Sequence, residues 1–266
     1  HQKHFFRYSE LKQIHFEKAN MRWLSIIAVI VFAVIFLFWS VIAEPIPEGK
    51  EGKKAEDLTD LILKDINYEA WLHTGVVEWS FRGIRNHLWD RERHFARLAW
   101  DDCISWIDLS TKTGRVKCQN QFLINPLDQE KLNEAWEIWA NDSFWLNPLA
   151  KLRDEGTTRK IIETPNNPPS LLVTYQTGGV TPGDSYLWKI NNSGRVTDCQ
   201  MWVKVLPVGG MQFTWDGWIK LSTGAMISSS HKGFVSVNLT DIRAGHNLKS
   251  LYPNEDPFGL LLHSDD

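Results

Sequence analysis

The chain has 266 residues, of which 29 are Lys or Arg and 32 are Asp or Glu, for a formal net charge of −3. The charge is uneven: residues 1–42 hold five basic and two acidic side chains, which leaves 24 and 30 in the remainder, an excess of six negative charges. A nucleic-acid binder needs a basic face to displace counterions from phosphates, so this balance excludes that class.

Residues 1–22 read as a cytoplasmic or non-native leader, with Met21 as an alternative start. From Trp23 to Ala43 the chain is apolar, with only Ser25 and Ser40 polar and no charge. Such a run is about 30 Å long as a helix, the thickness of a bilayer core. Lys3, Arg7, Lys12, Lys18 and Arg22 precede it, which places the N-terminus in the cytoplasm and the main domain outside, periplasmic or extracellular. The segment is expected to be an uncleaved membrane anchor; cleavage after Ala43 as a signal peptide would instead give a secreted protein. Residues 44–56, rich in Pro, Gly and charge, read as a linker.

Leu58, Leu61, Ile62 and Ile66 follow helical spacing, which predicts an amphipathic opening helix over Ala55 to His73. After it the period changes to two. Val77, Trp79 and Phe81 alternate with polar residues, and similar strands are expected at 86–90, 93–100, 103–109 and 115–121. Leu132, Ala135, Trp136, Trp139 and Ala140 then fall on one helical face, with Asp128 placed to cap the start. Strands resume at 171–175, 185–190, 195–206, 211–215, 225–230 and 234–239, with Asn191-Asn192-Ser193-Gly194 as a hairpin turn. Residues 245–266 read as a weakly ordered tail.

The fold expected is mainly β (α+β). One large curved antiparallel sheet over residues 57–244, a half-barrel, carries the opening helix and the mid-chain helical insertion on its concave face. Of three cysteines, Cys103 and Cys118 flank a turn expected at Thr113-Gly114; a disulfide is conceivable, but that turn sets the two out of register.

Twelve of the fourteen tryptophans follow residue 70, more than a core of this size needs. Trp79, Phe81, Trp89, Trp100, Trp106, Trp136, Trp139, Trp145, Trp188 and Trp202 are candidate lining for a cavity that would hold a lipid or other apolar small molecule. The plainer reading is that they fill the core. Asp142, Lys151 and Asp154, in the segment after the helix, are a candidate polar rim; the plainer reading makes Asp142 a helix cap. Arg91, Glu92, Arg93, His94 and Arg97 form a basic strip expected to face water. His87, His94 and Asp90 fall short of a metal site, no cofactor motif appears, and no nucleophile elbow, zinc-protease or phosphate-loop pattern occurs.

The order helix, five strands, helical insertion, strands resembles the lipoprotein-carrier fold of the LolA/LolB type, a half-open β-barrel lidded by helices. The stretches HLWDRERHFARLAWDD, NDSFWLNPLAKLRDEGT, GGVTPGDSYLW and MWVKVLPVGG are also similar to a set of uncharacterised exported bacterial proteins. The resemblance covers about Leu58 to Ala244 and implies a non-enzymatic periplasmic module that shelters an acyl chain. Two other classes remain open: an envelope hydrolase using paired carboxylates among Asp142, Asp154 and Asp184, and a scaffold subunit with a solid core.

Overall fold

The computed structural model describes Trp23, Val29, Ile30 and residues 44–177, 182–204 and 208–262. The chain divides into two compact units, residues 1–45 and 46–266. Of the first, Trp23, Val29 and Ile30 are helical and exposed. The rest of the expected membrane segment lies outside the described residues. Among those described, no helix is long and apolar enough to cross a membrane.

The second unit opens with helix α1 (Lys53–Asp65) and a short helix α2 (Tyr68–Leu72). The single opening helix expected over 55–73 is broken by Asn67, which takes the left-handed conformation (φ 50°) and lets the chain turn. Strands β1 (Val76–Phe81), β2 (Arg85–Asp90), β3 (Phe95–Trp100), β4 (Cys103–Asp108), β5 (Thr113–Cys118) and β6 (Gln121–Phe122) follow as an antiparallel meander. Helix α3 (Leu127–Leu146) and a 3₁₀ turn (Pro148–Lys151) lead into β7 (Thr157–Ile162), β8 (Ser170–Tyr175), β9 (Asp184–Ile190), β10 (Val196–Trp202) and β11 (Met211–Thr214). The last strands are β12 (Asp216–Lys220), β13 (Met226–Lys232) and β14 (Ser236–Gly245).

Instead of one sheet there are two: nine strands in the order β12-β13-β14-β1-β2-β3-β4-β5-β6 and five in the order β11-β10-β9-β8-β7. The break falls at one residue, Trp215. It separates β11, which pairs with β10, from β12, which pairs with β13. Thr214 Oγ1 still accepts from the Lys232 N–H (3.2 Å), so β11 runs on beside the end of β13. The chain here is one bent strand that changes sheets, because Trp215 turns its indole inward and is 2% exposed. The arrangement is not a closed barrel. Its two outermost strands, β6 and β7, are joined by α3, which must therefore cross the concave face.

Alternation places Val77, Trp79 and Phe81 of β1, Leu171 and Val173 of β8, and Tyr186, Trp188 and Ile190 of β9 in one core. Helix α1 buries Ala55, Leu58 and Ile62 in that core. It is tied across strand ends by Glu56 to Arg159 (2.8 Å) and Asp65 to Arg195 (3.0 Å). The hairpin at 191–194 forms as expected, with Asn191 Oδ1 accepting from the Ser193 N–H and Gly194 at φ 88°.

Three local expectations are corrected. Asp128 does not cap α3; Pro126 stands at the cap, and Asp128 Oδ1 instead accepts from the Val116 N–H (2.9 Å), fixing the helix to β5. Cys103 and Cys118 form a disulfide, because the turn is Leu109–Lys112 rather than Thr113-Gly114, and this centre makes the cysteines direct partners in the β4–β5 ladder. The tail packs on the outer face: Phe258 is fully buried with Val76 and Leu88, and Trp106 Nε1 donates to the Pro257 carbonyl (2.9 Å). The last described residues of the tail form a short helix α4 (Gly259–Leu262).

Candidate functional site

The interior layer between the nine-stranded sheet and α3 brings together most of the expected residues. On β2 the inward positions are Arg85, His87 and Trp89, one register step from Phe81, Trp79 and Val77 of β1. Trp79 and His87 stack with ring centroids 4.5 Å apart, and the Arg85 guanidinium lies 4.6 Å from the Phe81 ring. From the helix, Leu132, Ala135, Trp139, Asp142 and Trp145 face the sheet. Their spacing is that of one α-helical stripe.

Asp142 is fully buried and accepts from Arg85 Nη2 (2.8 Å), His87 Nε2 (2.9 Å) and Asn141 Nδ2 (3.0 Å). It is neither a cap nor a rim residue: it holds α3 to β2 from inside. Burial lowers the His87 pKa even with Asp142 beside it. The imidazole is therefore neutral, Nε2–H donates to Asp142, and Nδ1 is left as an acceptor with no partner among the described residues.

Trp89 meets Trp139 edge to face at 5.4 Å, and Trp100 Nε1 donates to Glu134 (3.1 Å). Further along the helix Trp145 lies 5.0 Å from Phe213 and 6.0 Å from Trp215, which in turn contacts Trp188 at 5.0 Å and His231 at 3.9 Å. Burial among these rings lowers the His231 pKa to about 4. The indole N–H groups of Trp79, Trp89 and Trp139 in this layer, and that of Trp188 on β9 of the five-stranded sheet, are buried without an acceptor among the described residues. That is costly, since an unmade buried hydrogen bond forfeits roughly 1–3 kcal/mol.

Three expected lining residues lie elsewhere. Trp106 and Trp202 sit on outer faces, because each falls on the opposite phase of its strand's alternation; Trp202 packs with Leu172 and Leu187. Trp136 is on the flank of α3, with Lys112 Nζ 3.4 Å above its ring. Lys151 and Asp154 are exposed whereas Asp142 is fully buried, so the three make no common rim. Partial burial raises the Asp154 carboxyl above its usual range. Asp184 accepts from the Lys204 N–H (3.0 Å) and is the register partner of Tyr175, a separate setting from that of Asp142.

His87 and Asp90 point to opposite faces of β2, which divides the set considered for metal. The basic strip is not simply solvated. Arg91 lies between the rings of Trp71 (4.3 Å) and Trp89 (5.2 Å) and donates to the Trp71 and Thr74 carbonyls, while Arg93 pairs with Asp90 and Asp256. Surface clefts of about 410 and 570 Å³ open beside Arg91 and beneath the tail at Tyr252, neither lined by tryptophan.

Arg85 was missed by the sequence reading. The signal was its position two residues before His87 on an alternating strand, together with a lone acid, Asp142, on the apolar stripe of α3.

No protein-family profile matches the chain, and comparison with curated proteins finds no match. Among solved structures, a DUF1329 family protein from Desulfovibrio piger is similar at 8% identity and a TM-score of 0.37, over 79% of this chain and all of that one.

Proposed function

We propose that the chain is a non-enzymatic, exported module of the lipoprotein-carrier kind, anchored through residues 23–43. In this reading α3 and the sheets close over an apolar ligand carrying oxygen acceptors, such as an acyl ester. The observation that carries the reading is the set of four buried indole N–H groups without acceptors among the described residues, three in the sheet–helix layer and one on β9. Ester or carboxyl oxygens entering that layer would satisfy them, and the surrounding rings would take the chain. In the closed form the interior is filled, with Trp79 1% and Trp188 0% exposed, so entry requires α3 to lift from β2.

The test is photolabelling of the full chain with a diazirine-bearing fatty acid, followed by mapping of the adducts. Labelling of the peptides that hold Trp79, Trp89 and Trp139 is expected. Adducts confined to residues 23–43 would overturn the proposal. They would favour the second reading, a scaffold subunit, which the filled interior also supports.

A further inference from the structure

We propose that the outer face of β4, β5 and β6 docks on an anionic phospholipid bilayer. This surface is on the opposite side of the sheet from the interior layer, and the inference stands without the ligand reading.

Register defines the surface. Lys117 is the direct partner of Ile104 on one side and of Phe122 on the other, and the neighbouring outward row runs Arg97, Trp106, Arg115; Trp106 lies under the tail, so the uncovered part of this face is Ile104, Arg115, Lys117 and Phe122. Neither row contains an acid. Arg115 lies 5.0 Å and Lys117 5.7 Å from the Phe122 ring, and neither meets a carboxylate within ion-pair distance among the described residues. Of the acids on this phase, Asp108 is engaged by the N–H groups of Ser110 and Thr111 in its own turn, and Asp102, just before β4, makes no ion pair with Arg115 or Lys117 among the described residues.

The apolar side chains between these cations are exposed: Ile104 by 37%, Phe122 by 43% and Ile124 by 78%. The chain continues alongside β5 at this point, with the Leu123 N–H donating to the Val116 carbonyl, so Ile124 projects beside Arg115. Helix α4 adds Leu260 and Leu262 at 41% and 52% exposure. A bilayer takes both features at once. Aliphatic and aromatic tips enter the headgroup boundary, while guanidinium and ammonium groups reach anionic phosphates from apolar stems.

Charge complementarity selects this occupant. The exported part of the chain carries six excess negative charges, yet this patch presents cations without acid partners. A two-residue edge strand, β6, offers too short a template for strand addition by a protein.

The experiment uses the full chain carrying Ile124→Cys, labelled with an environment-sensitive fluorophore. Cys103 and Cys118 are bonded and Cys199 is fully buried, so the new thiol is the reactive one. The protein is reconstituted in phosphatidylcholine vesicles, with or without phosphatidylglycerol, that contain a lipid with a quencher in its acyl chain. Quenching is expected with phosphatidylglycerol only. Arg115→Gln and Lys117→Gln should each lower the ratio of docked to free label about fivefold, and Arg115→Lys should restore it. A label at Leu61 on α1 should stay unquenched. Absence of quenching with the anionic lipid, equal quenching without it or at Leu61, or indifference to both Gln variants would each overturn the proposal.

Discussion

Two buried residues carry most of the electrostatic consequence of this interior. Asp142 is a fully buried carboxylate whose charge is answered by Arg85, at 2.8 Å. Removing it leaves a guanidinium in a largely dry layer, and breaking such a pair costs about 3–5 kcal/mol. Asp142→Ala is thus expected to lower the unfolding free energy by that amount, read as a lower urea midpoint with little change in slope, and a loss below 1 kcal/mol would show the pair to be solvated. His231 acts through protons. Its folded pKa of about 4 lies below the ordinary 6.5, so the unfolded chain binds the proton first. The stability this provides is complete above pH 6.5 and is lost as pH falls through the window from 6.5 to about 4, roughly 3 kcal/mol in all. His87, lowered by burial, adds with the same sign. His231→Phe keeps an aromatic ring against Trp215, and the difference in unfolding free energy between wild type and variant should therefore change across that window. A constant difference would refute the assignment.

At the scale of elements, the disulfide pins the β4–β5 hairpin beneath the start of α3. It closes a separation of 15 residues, for which chain entropy predicts about 3 kcal/mol. Reduction is expected to lower the thermal midpoint and to free the β5–β6 end first, read as faster amide exchange at Val116 and Lys117; unchanged exchange there would sink this. The same hairpin shows what was legible in the sequence. Strands β1 to β5 announced themselves by alternation, since one face meets the core and the other meets water or the tail. The turn did not, because Thr113-Gly114 carries turn chemistry while the chain reverses at Leu109–Lys112, held by Asp108. Strands β7 and β12 were missed for a related reason. Thr157–Ile162 and Asp216–Lys220 are half-buried or exposed at most positions, so pairing rather than burial pattern defines them. Seven of the ten aromatic residues offered as lining fall on the interior side of their elements. Trp106 and Trp202 do not, because the outer faces are also covered and hydrophobicity cannot tell two buried faces apart.

For the whole molecule, the question is whether two sheets behave as one cooperative unit. Their covalent and hydrogen-bonded junction is the bent strand around Trp215, whose N–H donates to Thr197 (2.6 Å) and whose carbonyl accepts from Trp218 Nε1 (3.1 Å). Its ring touches Trp188 of the five-stranded sheet, His231 of the nine-stranded sheet and Trp145 of the crossing helix, so one side chain packs against all three layers. Trp215→Ala removes that common contact at a cost of about 3–5 kcal/mol. If the sheets share one core, the loss is felt equally by both: amide protection of β9 and of β1 should fall at the same denaturant concentration in wild type, and should shift together in the variant. Separate transitions in the wild-type protein, with β7–β11 melting apart from β12–β6, would mean that Trp215 is a hinge between independent sheets. The ligand entry proposed above requires the first outcome, because a helix that lifts from β2 while the sheets stay joined would open the interior without unfolding it.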